Sequence, residues 1–202
     1  MASVQKTDIA IIGAGPVALF AVYQLGLFGF KCQLIEAMEC PGGQCRVFYP
    51  DKPIYDIPAF PIIMGDELIS RLLEQIAPFS PEFHYGHCVT HIAHSQNHML
   101  LETNKSISYQ ADAIVIASGL GASGPNGELM RPDPLAGLEL EKTGNSIAVA
   151  PDSFATSQPG IYAIGDACHY PGKLKLILSG FHEAALMTQA IRKRLQKPTR
   201  NS

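Results

Sequence analysis

The feature that most limits what this chain can fold into is the run Gly13-Ala14-Gly15-Pro16-Val17-Ala18, placed directly behind the apolar stretch 7–12. A glycine-rich turn between a strand and a helix lets a pyrophosphate approach backbone N–H groups at the helix N-terminus. Gly13 permits the tight turn, and Gly15 leaves room for the phosphate. Ala18 replaces a third glycine at a position that serves helix–strand packing. Pro16 suits the first helical turn, where its missing N–H costs nothing. A helical stretch runs on through Phe28 and stops at Gly29, and 31–35 reads as a second short strand ending on Glu36. Strand, turn, helix and strand in about 30 residues is the size of one βαβ unit. Glu36 lies 23 positions after Gly13, near the spacing at which an acid receives ribose hydroxyls. Its carboxylate would also repel a 2′-phosphate, which argues against NADP in this pocket. The loop and the acid together leave NAD and FAD both open.

The length of 202 residues suits one full-sized domain and is short for two. A net charge of −3 gives no reason to expect a nucleic acid or an anionic membrane as partner. No apolar run reaches the roughly 18 residues of a spanning helix, so no membrane association is expected. The opening MASVQKTD runs straight into the first strand, so no signal peptide is expected either. Five cysteines are an odd number, and free thiols in a reducing cytosol are the simplest reading. Cys40 and Cys45 have four residues between them, which is not a CxxC redox spacing. Two ordinary buried thiols are favoured there over an active disulfide. His84, His87, His91, His94 and His98 crowd one stretch, but their gaps do not place them on one face of a strand, so no metal site is expected.

Residues 39–61 carry prolines at 41, 50, 53, 58 and 61 together with Gly42-Gly43. They read as a long, stiff, ordered loop and not a second crossover helix. An amphipathic helix is expected from Gly65 to about Ala77, with Asp66 as cap. Short strands joined by polar turns are expected over 82–109, and 113–117 is apolar throughout, as in a parallel sheet. Residues 119–146 read as a connection, followed by strands at 147–150 and 161–164. A last helix is expected from about Leu174 to Leu195, with Arg192, Lys193 and Arg194 suiting its C-terminus. A second GxGxxG occurs at 119–124, but the prolines at 125, 132 and 134 cannot open a helix, so this match is read as accidental.

The segment 156–166 (TSQPGIYAIGD) decides the cofactor. Its apolar strand ends in Gly165, which lets the backbone turn sharply, and Asp166 then stands at the strand's carboxyl end, where open α/β sheets bind ligands. An acceptor there can hold ribityl hydroxyls. With Ala117-Ser118-Gly119 between them, the two ends resemble the two-dinucleotide-binding flavoproteins. Within that superfamily the chain most resembles thioredoxin-reductase-like ferredoxin–NADP reductases. The residues that carry this are Pro41-Gly42-Gly43-Gln44, Phe48-Tyr49-Pro50-Asp51-Lys52, Ile54-Tyr55-Asp56, Lys173-Leu174-Lys175-Leu176-Ile177 and Gly180-Phe181-His182-Glu183-Ala184. The resemblance covers nearly all of 5–119 and 135–192.

The resemblance implies an α/β, doubly wound Rossmann-like FAD-binding domain, with a parallel sheet and a small antiparallel β-meander. It implies FAD held by Gly13, Gly15, Pro16 and Val17, and by Glu36 at the adenosine ribose. Gly43, Gln44, Tyr49 and Asp56 belong to the flavin side, Val89 to the adenine, and Ala117 and Gly119 to the neighbouring strand end. Gly165 and Asp166 hold the ribityl chain. Lys175 and Leu176 open the last helix, whose N-terminal end would face the flavin N1–C2=O edge. In the family, NADPH reduces the flavin, which passes single electrons to ferredoxin or flavodoxin; the cofactor does this chemistry and no side chain is expected to be catalytic. A cytoplasmic homodimer is also implied.

Two departures stand out. The family carries a second nucleotide domain of well over a hundred residues, for NADPH, between the segments that end at Gly119 and begin at Thr156. Here only 36 residues separate them. The expectation is one FAD-binding domain over 1–202, built from 1–119 and 135–202, with the connection 120–134 in place of the NADPH domain. Ser123 also replaces a bulky aromatic of the family, and the family's C-terminal extension has no counterpart, so looser FAD retention is expected. The alternatives are a non-catalytic FAD-binding or assembly module, a flavoprotein fed electrons by a partner, and a simple NAD-binding domain.

Overall fold

The computed structural model describes residues 4–95, 98–119 and 139–195. The first unit forms as the glycine loop requires: β1 (Val4–Ile12), α1 (Pro16–Gly26) and β2 (Cys32–Ile35). The last four residues of β1 and all of β2 are buried. Helix α1 is apolar on most of its surface because it is covered on more than one side; it packs against both α3 and α4. Gly29, at φ +74°, ends the helical turn that follows α1.

The crossover from β2 contains α2 (Gly43–Val47), β3 (Pro53–Ile54), β4 (Ile63–Met64) and α3 (Gly65–Ile76), and ends at β5 (Glu82–His84). Helix α3 buries Leu68, Ile69, Leu72 and Ile76 at helical spacing. A meander follows: β6 (Val89–Ser95), β7 (His98–Thr103) and β8 (Ser108–Ile116). Then come β9 (Lys142–Thr143), β10 (Ser146–Ala148), β11 (Ile161–Ala163), β12 (Cys168–His169) and α4 (Ile177–Leu195).

The parallel strands run in the order β5-β2-β1-β8. Strand β8 then serves two neighbours along its other edge. Residues 108–111 pair antiparallel with β7, and 114–116 pair parallel with β11. Its burial follows this division: the first half alternates between faces, whereas the last four residues are buried throughout. The result is a mainly parallel sheet with an antiparallel meander at one side, the α/β arrangement expected. Strands β9, β10 and β12 form a small separate sheet, and β3 pairs with β4. Chain direction across the parallel sheet changes between β1 and β8, which places a topological switch point at the carboxyl ends of these two strands.

Three local expectations need correction. The 39–61 stretch contains the five-residue helix α2, which Gly42 at φ +122° and Gly43 at φ +52° make possible. Asp66 does not cap α3; it lies in the first turn, and its carboxylate pairs with the Arg46 guanidinium at 2.6 Å. The last helix begins at Ile177 and not at Leu174, because Lys173 turns inward to an acid on the helix itself. The connection 120–134, the second GxGxxG beyond Gly119, and Ser123 lie outside the described residues.

Candidate functional site

The candidate site lies where the carboxyl ends of β1, β2, β8 and β11 meet the start of α1. Gly13 adopts φ +106°, and a Cβ there would lie 2.6 Å from the Ala117 carbonyl oxygen. The glycine is therefore required both by the backbone angle and by the closeness of the β8 end. A Cβ on Gly15 would meet nothing within 4 Å, so the loop opens onto free space. Gly43 brings its backbone against Gly15, with its would-be Cβ at 3.3 Å, and the Gly42 N–H donates to the Ala14 carbonyl at 2.8 Å. The Gln44 side-chain nitrogen stands 3.6 Å from the would-be Cβ of Gly119, which has φ +62°. Val17 packs against both Gly165 and Gly180. The expected residues Gly13, Gly15, Val17, Gly43, Gln44, Ala117, Gly119 and Gly165 are thus brought together.

Glu36 directly follows β2 and is 7 % exposed. One carboxylate oxygen accepts the Ala14 N–H at 2.8 Å, and the other accepts the Met38 N–H at 2.9 Å. The acid therefore fastens the glycine loop to the end of the second strand. The same residue's backbone ties in the next segment, since the His87 N–H donates to its carbonyl at 3.0 Å. That contact leads the chain to Val89, which opens β6 and is buried.

Asp166 is exposed in a 3-10 turn (Gly165–Ala167) directly after β11. Burial pushes the Cys45 thiol up; Lys52 opposes this, and the Asp166 carboxylate is near enough to add to it. Leu176 and Lys175 are exposed just ahead of α4, and the Leu176 carbonyl accepts the Gly180 N–H at 3.2 Å. Tyr49 and Asp56 are not among the nearest neighbours of Gly13, Gly15, Gly43, Gly119 or Gly165; the Tyr49 carbonyl lies instead against Gly65. Tyr49 is 44 % exposed with the Lys52 ammonium 5.1 Å from its ring centre, and Asp56 is half-buried between β3 and β4. An apolar cleft of about 500 Å³ lies along the start of α4, between Phe20, Leu174, Leu178 and Phe181. Neither the glycine loop nor Glu36 borders it.

Behind the Gly165 turn lies a buried polar group whose role the sequence did not disclose. Glu183 on α4 has no exposed surface. Its carboxylate takes the Lys173 ammonium at 2.6 Å, the Gly165 N–H at 2.6 Å and the Tyr170 hydroxyl at 3.0 Å, with the Cys168 thiol at 3.7 Å. Burial, with Glu183 adding to it, pushes both the Cys168 thiol and the Tyr170 phenol up to about 12. Both stay protonated donors at neutral pH, and the group holds one anion and one cation. The available signal was spacing: Gly180, Glu183, Ala184, Met187 and Ile191 share the buried face of α4, so an acid stands where an apolar residue belongs.

Two members of the histidine cluster have side-chain partners. The Tyr109 hydroxyl pairs with His87 Nδ1 at 3.0 Å, and His98 pairs with Asp112 at 3.1 Å. Among the described residues no group of three or more His, Cys, Asp or Glu side chains is placed to hold a metal ion. None of the five cysteines forms a disulfide, and Cys40 and Cys45 are half-buried, not buried as expected. No described helix is long and apolar enough to cross a membrane.

Comparison with known proteins agrees with this architecture. Residues 7–130 match the family model described as pyridine nucleotide-disulphide oxidoreductase. The chain is similar to a ferredoxin–NADP reductase of Parvibaculum lavamentivorans, 30 % identical over 307 aligned residues, covering 91 % of this chain and 90 % of the relative. It is also similar to a ferredoxin–NADP reductase of Rickettsia conorii, 47 % identical over 181 residues, covering 90 % of this chain but only 47 % of the relative. The chain thus spans about half the length of this second relative. The first alignment is longer than the chain's 202 residues, so more than a hundred of its positions have no residue here. The fold is that of a thioredoxin reductase from Streptococcus pyogenes, with a TM-score of 0.79 at 17 % identity over 96 % of this chain and 99 % of that one. A thioredoxin reductase from T. acidophilum matches with a TM-score of 0.77 at 15 % identity, over 95 % of this chain and 99 % of that one. The chain belongs to the pyridine nucleotide-disulphide oxidoreductase family, as a relative of ferredoxin–NADP reductases that shares the fold of thioredoxin reductases.

Proposed function

We propose that this chain is the flavin half of an electron-transferring oxidoreductase: it holds FAD along the strand ends and lacks an NADPH domain of its own. The observation that carries this is a run of contacts: Glu36 takes the Ala14 N–H in the loop that is open at Gly15, and Val17 just beyond packs against Gly165, next to Asp166, and against Gly180 of α4. Glu36 would face the adenosine ribose, and the Gly13–Val17 turn the pyrophosphate, with N–H donors and the α1 terminus opposing its charge. Val89 would lie beside the adenine. Gly43, Gln44, Tyr49, Asp56, Ala117 and Gly119 would line the flavin side. Gly165 lets the backbone turn so that Asp166 can accept ribityl hydroxyls. Lys175 and Leu176 lead into α4, whose N-terminal end would lie near the flavin's polar edge. The open space above Gly15 and the exposed carboxylate of Asp166 fit such a group. When bound, the flavin supplies the hydride-accepting and single-electron chemistry.

In this reading the chain is one domain built from 1–119 and 135–202, with 120–134 in place of a nucleotide module; the excess of more than a hundred aligned positions in the Parvibaculum relative accords with a missing module. Electrons would then come from a partner or an external donor and pass to a ferredoxin or flavodoxin. Five cysteines with no disulfide among them accord with a cytoplasmic setting. A homodimer is part of the same reading, carried by the resemblance to the family.

The test is a titration of the purified chain with FAD, followed by anaerobic reduction. The expected result is a yellow stoichiometric complex that dithionite reduces and ferredoxin or flavodoxin reoxidises, with no saturable reduction by NADPH. Absence of a yellow complex would overturn the cofactor reading. Brisk turnover at micromolar NADPH would overturn the missing domain.

A further inference from the structure

A buried ion pair seldom contributes much net stability, because desolvating two charges offsets their attraction. The Glu183–Lys173 pair is nearly dry, with Glu183 wholly buried and the Lys173 side chain 5 % exposed. Its placement is more informative than its strength. Glu183 lies in the second turn of α4, and its partners come from three other places along the chain. The Gly165 N–H belongs to the turn after β11, Cys168 to β12, and Tyr170 with Lys173 to the loop that leads into α4. Gly165 is the residue before Asp166 and has a φ of +67°; its N–H is held by Glu183, and its carbonyl accepts the Cys168 thiol at 3.4 Å. The loop from Tyr170 to Lys173, closed by a Lys173 N–H bond to the Tyr170 carbonyl at 3.2 Å, sets where α4 begins. One carboxylate therefore fixes both the turn that carries Asp166 and the start of the last helix.

From this geometry we propose that Glu183, with Lys173 as its counter-ion, is a positioning residue for the flavin end of the site. It holds Asp166 in register with the N-terminal end of α4 without itself touching the cofactor. This rests on the FAD reading above and assigns a role within it. The adenosine end is held separately, through Glu36, Ala14 and Met38, and shares no hydrogen bond with the Glu183 group. The two ends can consequently be tested apart, with FAD spanning both and ADP reaching only the first.

Two variants make the test. In Glu183→Gln the side chain can no longer accept at both ends, and Lys173 loses its counter-ion. In the double variant Glu183→Leu with Lys173→Met the charges go together, so folding is expected to survive even where the single variant fails. Urea unfolding establishes that the double variant folds as well as the parent chain. FAD and ADP affinities are then measured by titration. For both folded variants the expected result is FAD binding weakened about tenfold or more, the loss of roughly one charge-assisted contact. ADP binding should change less than about twofold, and bound-flavin absorption should lose its resolved shoulders. Equal weakening of FAD and ADP, or no change in either, overturns the positioning role while leaving the FAD reading intact. A parent chain that does not bind FAD overturns the FAD reading, and this inference with it.

Discussion

Glu36 is held by its own chain before any ligand arrives. Each of its carboxylate oxygens accepts one backbone N–H, from Ala14 and from Met38, and a carboxylate oxygen has about two acceptor directions. One direction on each remains for ribose hydroxyls. Glu36→Gln keeps the shape but turns one acceptor into a donor that must face a backbone N–H. The expected outcome is a loss of about 1–3 kcal/mol of stability, read from urea unfolding, together with weaker binding of ADP and FAD alike. An unchanged unfolding midpoint would mean that these two bonds do not hold the loop. Spacing from Gly13 was enough to single out Glu36, because the βαβ unit fixes where the second strand ends. The backbone bonds were not legible, since they depend on how closely residues 14 and 38 approach in three dimensions. Glu183 escaped for a related reason: an acid on a buried helix face has no meaning until its partners from residues 165–173 are in place.

At the scale of elements, the contact that joins the two ends of the chain is α1 against α4. A Cβ on Gly180 would run into the Val17 side chain, and Val17 is the second residue of α1, directly beyond the glycine loop. Two effects oppose one another in Gly180→Ala. Helix propensity favours alanine by about 1 kcal/mol, whereas forcing a methyl into a filled contact costs about 1–3 kcal/mol. The overlap with a β-branched side chain leaves little room to yield, so packing should win. The variant should unfold at lower urea and bind FAD more weakly, since α4 must move off the loop. A more stable Gly180→Ala would show that the helices separate easily. Element types were legible wherever apolar periodicity was strong, as in α1, α3 and the end of β8. The boundaries failed where a polar contact overrode pattern. Lys173 reaches back to Glu183, so α4 begins at Ile177, and Arg46 takes the Asp66 carboxylate, so α3 has no side-chain cap.

Over the whole molecule, the sheet makes the two ends of the chain one folding unit. Residues 114–116 of β8 pair with β1 on one edge and β11 on the other. The later segment also supplies Ile161, Tyr162, Ala163, Ile164, Ala184, Met187 and Ile191 to the same core. Without it, the first segment would expose a strand edge and one covered side of α1. That α/β arrangement was legible because glycines and strand ends at residues 13–18 and 160–166 obey a fixed local chemistry; which strands pair with β8 along its length was not, since two different neighbours share one edge. A fragment of residues 1–119 should therefore fail to show a cooperative urea transition. Co-expressed with residues 135–202, it should recover both the transition and FAD affinity within about tenfold of the intact chain, the remainder reflecting the cost of association. Sheet pairing and the α1–α4 contact would supply the association, with no covalent link required. If the first fragment unfolds cooperatively by itself, β11 and α4 are an appendage to a finished domain, and the Asp166 turn has no structural reason to move with the glycine loop.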